Sequence, residues 1–123
     1  MLVLRTGVDL LEISRLSQLQ AEIKPRFLAR VFTKNELELF KDSDASLSGR
    51  FAAKESVAKA LGTGIGEISW QDIEILKGDT GEPKLILHGI ALELSNQLGL
   101  TQWSVTISHT QSQAIALAVA IGL

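Results

Sequence analysis

The spacing of apolar residues at the start of the chain predicts a strand followed by a helix. Residues 2–8 are mainly apolar and β-branched, which predicts a strand that ends near Gly7. Apolar residues then recur at intervals typical of one helix face, at Leu11, Leu16, Leu19 and Ile23. In this interpretation Asp9 lies directly after the strand, at the start of the helix.

Two shorter helices are predicted next. Pro25 suits the first turn of a helix, because proline has no N–H to leave unpaired there. Thr33 and Glu36 have the spacing of a capping box, in which each side chain bonds the other residue's backbone N–H. We therefore expect a helix from this box to about Lys41, and a polar loop over 42–48.

The second half of the chain predicts a long helix and then mostly strands. Apolar residues mark one face of a helix over 47–61, and Gly62 is suited to end it. The later predicted elements are strands over 72–77 and 84–88, a helix over 89–98, and strands over 103–108 and 114–121. The Gly-, Asp- and Pro-containing segment between the first two of these strands is typical of a hairpin turn.

This order predicts a single α+β domain over 1–123, with an antiparallel sheet packed against helices and one long central helix. The last predicted strand alternates alanine with larger apolar residues, so both of its faces are apolar. Such a strand is either central and covered on both sides, or it packs one face against another subunit.

Composition narrows the class of protein. A chain of 123 residues that is 46% hydrophobic is long enough for one core and too short for two. The net charge of -2 argues against a general nucleic-acid binder. The longest apolar stretch, 114–123, is too short to span a bilayer, and the N-terminus lacks a signal-peptide pattern. We therefore expect a cytoplasmic protein with no membrane or nucleic-acid partner.

Positive charge is concentrated near the N-terminus. The segment 15–34 contains five basic residues and one acid, Glu22, a local net charge of +4 on an acidic protein. This asymmetry indicates an acidic partner, although a solvated helix face would have the same composition. A non-catalytic module that docks acidic proteins through this segment is the main rival to an enzyme.

Asp9, Glu55 and Lys59 are the candidates for chemistry. Mg²⁺ is usually held by one or two carboxylates, with waters and substrate phosphate oxygens completing its shell. Lys59 lies one helical turn after Glu55 and could face the same phosphates. Each residue also has an ordinary structural interpretation: Asp9 as a helix cap, and Glu55 with Lys59 as a surface ion pair. Spacing alone does not bring Asp9 to Glu55.

Other residues could add positive charge or hydrogen-bond donors. Arg50 and Lys54 lie on the same predicted helix as Glu55, and His109 could donate to a phosphate oxygen. The segment from Ser108 to Thr110 is equally typical of a solvated strand end. There is no cysteine and no phosphate-cradling loop that ends in Gly-Lys-Ser/Thr, so thiolate metal sites and that nucleotide motif are excluded.

Four segments resemble, in order, the motifs of a known family. They are GVDLLEISR at 7–15, FTKNE at 32–36, RFAAKESVAKALG at 50–62 and SH at 108–109. Together they are similar to the holo-acyl-carrier-protein synthases, the short class of phosphopantetheinyl transferases. Two small departures are Ser56, where that family usually has alanine, and Thr6, where a larger apolar residue is common.

The resemblance implies transfer of the 4′-phosphopantetheine arm of coenzyme A to a serine of an acyl carrier protein, with release of adenosine 3′,5′-bisphosphate. It implies Asp9 and Glu55 as magnesium ligands and Lys59 as a catalytic residue that assists the leaving group. The coenzyme A contacts that we predict with it are Arg50, Lys54, Lys59, His109 and Thr110. The implied docking residues for the acidic carrier are Arg15, Arg26 and Arg30. The family is typically a homotrimer with sites between subunits.

Overall fold

A three-stranded antiparallel sheet packs against one long helix, and a smaller hairpin and four shorter helices surround this pair. The computed structural model describes residues 1–123. Its elements in chain order are β1 (Val3–Glu12), α1 (Ser14–Ser17), α2 (Lys24–Val31), α3 (Lys34–Phe40), α4 (Asp44–Leu61), a 3₁₀ turn (Trp70–Asp72), β2 (Ile73–Lys77), β3 (Pro83–Leu87), α5 (Gly89–Gln97), β4 (Gln102–His109) and β5 (Gln113–Gly122). The predicted α+β class is confirmed.

The last strand, β5, is the centre of the main sheet. It pairs antiparallel with β1 along its whole length and with β4 on its other edge, while β2 and β3 form a separate hairpin. The face of β5 toward α4 consists of four buried alanines: Ala114, Ala116, Ala118 and Ala120. Small side chains on this face let the helix lie close to the sheet, which places residues of α4 near residues of β1.

The opposite face of the sheet is apolar and uncovered in the single chain. Three cross-strand pairs of β1 and β5 form it: Leu4 with Ile121, Val8 with Leu117, and Leu10 with Ile115. Their exposed fractions range from 37% to 61%. Of the two alternatives for the last strand, it is therefore central, but only one of its faces is buried. None of the helices is both long and apolar enough to cross a membrane.

The central helix α4 begins earlier than the sequence pattern indicates. The expected loop over 42–48 is wrong, because the Ser43 hydroxyl accepts from the backbone N–H of Ser46 and caps a helix that starts at Asp44. The helix ends as predicted at Gly62, which has a left-handed backbone with φ of +86°. Most of its residues are buried, so α4 contributes to both apolar clusters of the core.

The N-terminal segment differs most from its prediction. The strand continues to Glu12, and the helix expected over 11–23 is reduced to the single turn α1. Pairing of β1 with every residue of β5 up to Glu12 and Gln113 supplies backbone hydrogen bonds that outweigh the helical spacing. The proline-started helix α2 and the Thr33–Glu36 capping box of α3 are confirmed.

Candidate active site

Asp9 lies within β1 and faces the central helix. Its register partner on β5 is Ala116, whose side chain is buried against α4. The interpretation of Asp9 as a helix cap is wrong, because the residue is an interior position of a strand. Its carboxylate Oδ1 lies 3.3 Å from the Lys59 ammonium, which also donates to the carbonyl oxygen of Val8 at 2.8 Å. Lys59 thus joins α4 to β1 at Asp9.

Glu55 lies one turn before Lys59 on α4 and is close enough to Asp9 for their charges to interact. Burial raises the pKa of Glu55, and the negative charge of Asp9 raises it further. The positive charges of Lys59 and Arg15 act in the opposite direction on this pKa. The alternative interpretation, a surface ion pair of Glu55 with Lys59, is not what forms, because the ammonium bonds to Asp9.

A close contact between β1 and α4 sets this geometry. A Cβ atom added at Gly7 would lie 1.9 Å from the Ser56 carbonyl oxygen. Every residue except glycine would clash there, because only glycine has no Cβ. Gly7 precedes Asp9 by two residues and therefore lies on the same face of the strand, while Ser56 directly follows Glu55. The absence of a side chain at Gly7 therefore lets β1 and α4 lie close together next to Asp9 and Glu55.

The donor set at this place suits a hard divalent cation. Two neighbouring carboxylates repel each other, and a cation between them removes this repulsion. Mg²⁺ prefers oxygen ligands. Nowhere in the chain do three or more His, Cys, Asp or Glu side chains come together as a set that could hold a metal ion. Asp9 and Glu55 would therefore supply two ligands, with water and substrate oxygens supplying the others.

Lys54 is not available to a ligand at the surface. Its ammonium is fully buried, lies 2.8 Å from Glu36 Oε1, and donates to the carbonyl oxygens of Trp70 and Ile73. Burial lowers its pKa, and the charge and hydrogen bond of Glu36 partly offset that effect. The predicted contact of Lys54 with coenzyme A therefore does not fit, because every direction around the ammonium is occupied by protein.

Arg50, one turn before Lys54, is in a different situation. Its guanidinium carbon lies 3.8 Å from the centroid of the Phe40 ring, and the residue is 8% exposed. It forms no ion pair, its buried Nε has no hydrogen-bond partner, and burial lowers its pKa. Unlike Lys54, Arg50 keeps hydrogen-bonding capacity that the protein does not use.

Sequence reasoning missed a buried network around Glu36. The capping box identified its link to Thr33, but Glu36 also accepts from the backbone N–H of Ile75 at 2.9 Å and pairs with Lys54. It therefore connects α3, β2 and the central helix. The sequence around Glu36 does not indicate these partners, because Lys54 and Ile75 lie 18 and 39 residues away in the chain.

His109 and Thr110 lie at the end of β4, away from the carboxylates. Both are exposed, and the Thr110 hydroxyl accepts from the backbone N–H groups of Ser112 and Gln113 in the turn to β5. His109 is two strands across the sheet from β1, so the structure of one chain does not bring it to Asp9. A cleft of about 230 Å³ at this end is lined by both residues and by Leu10 of the uncovered apolar face.

The arginines of the basic segment divide into two groups. Arg15 lies 5.7 Å from the centroid of the Phe51 ring, one turn before Glu55, and its charge acts on Glu55. Arg26 and Arg30 are exposed on α2 and line a shallow cleft with Ile23, Phe27 and Ala29. None of the three arginines forms an ion pair within the chain.

Comparison with known proteins agrees with this architecture. Residues 5–119 match the family model of the 4′-phosphopantetheinyl transferase superfamily. The holo-(acyl-carrier-protein) synthase of Herpetosiphon aurantiacus is 44% identical over 127 residues, covering 98% of this chain and 100% of that protein. The corresponding protein of Moorella thermoacetica is 46% identical over 120 residues, with 95% and 93% covered.

Solved structures of the same kind superpose closely. The Helicobacter pylori holo-(acyl-carrier-protein) synthase in complex with coenzyme A has a TM-score of 0.84 at 34% identity, covering 94% of this chain and 98% of that one. The Bacillus anthracis synthase in complex with CoA (3′,5′-ADP) has a TM-score of 0.80 at 31% identity, with both chains fully covered. The chain therefore belongs to the 4′-phosphopantetheinyl transferase superfamily, among the holo-(acyl-carrier-protein) synthases.

Proposed function

We propose that this chain transfers 4′-phosphopantetheine from coenzyme A to a serine of an apo acyl carrier protein, with Mg²⁺ held by Asp9 and Glu55. The observation that carries this proposal is the convergence of Asp9, Glu55 and Lys59 where β1 contacts α4. Two carboxylates and one ammonium at a single place are the groups that phosphoryl-type transfer requires. The complexes of related synthases with coenzyme A support the choice of donor.

In the proposed reaction, the serine oxygen forms a bond to the phosphorus that bears pantetheine. The bond from that phosphorus to the bridging oxygen of the diphosphate breaks, and adenosine 3′,5′-bisphosphate leaves with that oxygen. The serine proton passes to a base at the site. Mg²⁺, when bound, would neutralise diphosphate charge and withdraw electrons from phosphorus. Lys59 is half-exposed beside Asp9, so its ammonium can reach the leaving group and stabilise the negative charge that develops there.

The rest of coenzyme A would be bound by cations and donors farther from the carboxylates. Arg50 has an unpartnered Nε and no carboxylate partner, which suits it to an anionic group such as a phosphate. His109 and Thr110 lie beside the uncovered apolar face rather than near Asp9. They would act on the same ligand only where a second copy of the chain brings its own β4–β5 turn to the site.

We further propose that the chain forms a homotrimer through the apolar face of β1 and β5. Six exposed apolar side chains lie on these two neighbouring strands, and an exposed apolar face of this kind is typical of a protein–protein interface. The position of Leu10 between this face and the cleft at His109 supports sites that are shared between subunits. The number three rests on the family resemblance, and a sedimentation-equilibrium molar mass would test it. The cytoplasmic location stays a prediction.

The carrier protein would dock on the basic segment. Arg26 and Arg30 point outward from α2 beside apolar Ile23 and Phe27, a combination that suits an acidic helix with an apolar stripe. Arg15 lies between this surface and Glu55 and would face the junction of carrier and coenzyme A.

The reaction is tested by incubating the protein with coenzyme A, Mg²⁺ and an apo acyl carrier protein, and by weighing the carrier with mass spectrometry. The expected result is a mass gain equal to one phosphopantetheine arm, located on a serine. A carrier whose mass stays unchanged, while a known synthase modifies it in parallel, would contradict the proposal.

A further inference from the structure

The Ser56 hydroxyl is buried between the central helix and the main sheet. Its Oγ lies 2.8 Å from the carbonyl oxygen of Ala52, one turn earlier on α4, and 3.0 Å from the carbonyl oxygen of Ala116 on β5. The residue is 0% exposed. A serine hydroxyl has a single proton, so the two carbonyl oxygens share it. The bond to Ala52 is local to the helix, whereas the bond to Ala116 joins helix to sheet.

This link lies in the same cross-section of the fold as the two carboxylates. Ser56 directly follows Glu55 in α4, and Ala116 is the register partner of Asp9. A close approach of β1 to the helix, between Gly7 and the Ser56 carbonyl oxygen, is at the same level. Ser56 therefore contacts the two strands that position Asp9: β1 through its carbonyl group and β5 through its hydroxyl.

We propose that Ser56 is a positioning residue for the metal site, a role that rests on the proposed function of Asp9 and Glu55. Its hydroxyl fixes the position of α4 along β5 and thereby the separation of the Glu55 carboxylate from the Asp9 carboxylate. Because a metal ion needs both carboxylates at set distances, loss of this one hydrogen bond weakens metal binding. Ser56 contacts neither the metal nor the substrate.

Ser48 provides a matched comparison in the same helix. It is also 0% exposed, but its hydroxyl has no hydrogen-bond partner. Replacement of either serine by alanine removes one buried hydroxyl from α4, and only the Ser56 change removes a bond to the sheet. A difference between the two variants therefore reports the link to Ala116 rather than the loss of a buried hydroxyl in general.

The experiment measures Mn²⁺ binding to the full chain by electron paramagnetic resonance, with and without coenzyme A, for the wild type, Ser56→Ala and Ser48→Ala. We expect Ser56→Ala to bind Mn²⁺ about three- to tenfold more weakly, the range that one net hydrogen bond supports. Ser48→Ala should bind as the wild type does. In transfer assays, the Mg²⁺ concentration for half-maximal rate should rise by the same factor in Ser56→Ala, while the KM for the carrier stays unchanged.

A third variant separates positioning from stability. Ile73→Val removes one methylene from a fully buried position on β2 and lowers the thermal midpoint, and Ile73 takes no part in the hydrogen bonds of the Ser56 hydroxyl. Its Mn²⁺ affinity should equal that of the wild type. Wild-type affinity in Ser56→Ala, whatever its thermal midpoint, would overturn the positioning role. If the wild type binds Mn²⁺ but transfers nothing to the carrier, the proposed function is contradicted. The role of Ser56 would still be tested in that case by comparing the Mn²⁺ affinities of the variants.

Discussion

The Lys59 ammonium lies 3.3 Å from Asp9 Oδ1, although the two residues are 50 positions apart in the chain. A helix spacing of four residues favours pairing of Lys59 with Glu55, yet the ammonium points across to β1 and also bonds the Val8 carbonyl oxygen. Glu55 is left without a hydrogen-bonded cation, beside the negative charge of Asp9. A cation bound between the two carboxylates would therefore neutralise the charge of Glu55 and reduce its repulsion by Asp9.

Replacement of Lys59 should therefore affect the chemical step. Lys59→Met should lower kcat roughly 10²- to 10³-fold, the loss typical of removing one group that stabilises transition-state charge. Lys59→Arg should retain part of the rate because it retains the charge. The KM for the carrier should change little, since the ammonium lies at the carboxylates rather than on α2. A kcat in Lys59→Met within twofold of the wild type would remove Lys59 from the chemistry.

The buried pair of Lys54 and Glu36 should matter for stability. Both side chains are 0% exposed, so Lys54→Met leaves an uncompensated buried carboxylate and should lower the free energy of unfolding by about 3–5 kcal/mol. Lys24 pairs with Asp44 at 2.9 Å, but those side chains are 29% and 31% exposed. Lys24→Met should therefore cost less than about 1 kcal/mol. Urea unfolding measures the free energy of unfolding of both variants. Equal losses of stability in Lys54→Met and Lys24→Met would contradict the distinction between the buried pair and the exposed pair.

Acid should destabilise the protein through Glu74. Burial by itself would raise the pKa of Glu74, but hydrogen bonds from Thr33 and His88 outweigh burial and hold this pKa below its ordinary value of 4.5. The unfolded chain then binds the proton more readily, so this stabilisation is complete above about pH 4.5 and is lost as pH falls through the folded-state pKa.

The corresponding measurement is the free energy of unfolding from pH 6 down to pH 3. Glu74→Gln cannot ionise at this position, so its stability should fall less steeply with acid below about pH 4.5 than that of the wild type. Glu38 is exposed on α3 and forms no ion pair. Glu38→Gln should keep the wild-type slope. An unaltered slope in Glu74→Gln would exclude this carboxylate as a source of acid sensitivity.

Much of the fold could be predicted because local signals specify it. The capping box at Thr33, the left-handed stop at Gly62 and the hairpin glycines act over a few residues, and the elements that they delimit form as expected. The start of α4 was missed, because Ser43 lies among other polar residues that are typical of loops. The extension of β1 to Glu12 was missed, because its partner is the last strand of the chain.

The site was predictable in part only. Asp9, Glu55 and Lys59 are recognisable as candidates from the sequence. Their proximity depends on the close contact of Gly7 with Ser56, and the spacing of residues in the sequence does not reveal that contact. The burial of Lys54 could not be predicted for a similar reason. A lysine beside a candidate ligand on a helix is indistinguishable in sequence from an exposed one, and its buried partner Glu36 lies on another helix.

Charge reversal on α2 should impair carrier docking without affecting the chemistry. Arg26→Glu should raise the KM for the carrier several-fold at low salt, with kcat little changed, because Arg26 is exposed on α2 and is not among the charges that act on Glu55. The effect should shrink as salt screens the charges. Lys77→Glu makes the same charge change at an exposed position of the hairpin and should leave this KM unaltered. Equal KM changes in both variants would indicate a net-charge effect instead of a docking surface.

The central claim is that Asp9 and Glu55 together hold the metal ion that transfer requires. The most direct measurement is the rate of carrier modification, followed by mass spectrometry over a Mg²⁺ series, for the wild type, Asp9→Asn, Glu55→Gln and Glu12→Gln. Glu12 is an exposed carboxylate on the same strand that accepts from Gln113 and serves as the control. We predict that Glu12→Gln matches the wild type, while Asp9→Asn and Glu55→Gln each lose nearly all transfer at every Mg²⁺ concentration and remain folded. Transfer at the wild-type rate by either of these two variants, or by the wild type after chelation of all divalent metal, would contradict the account.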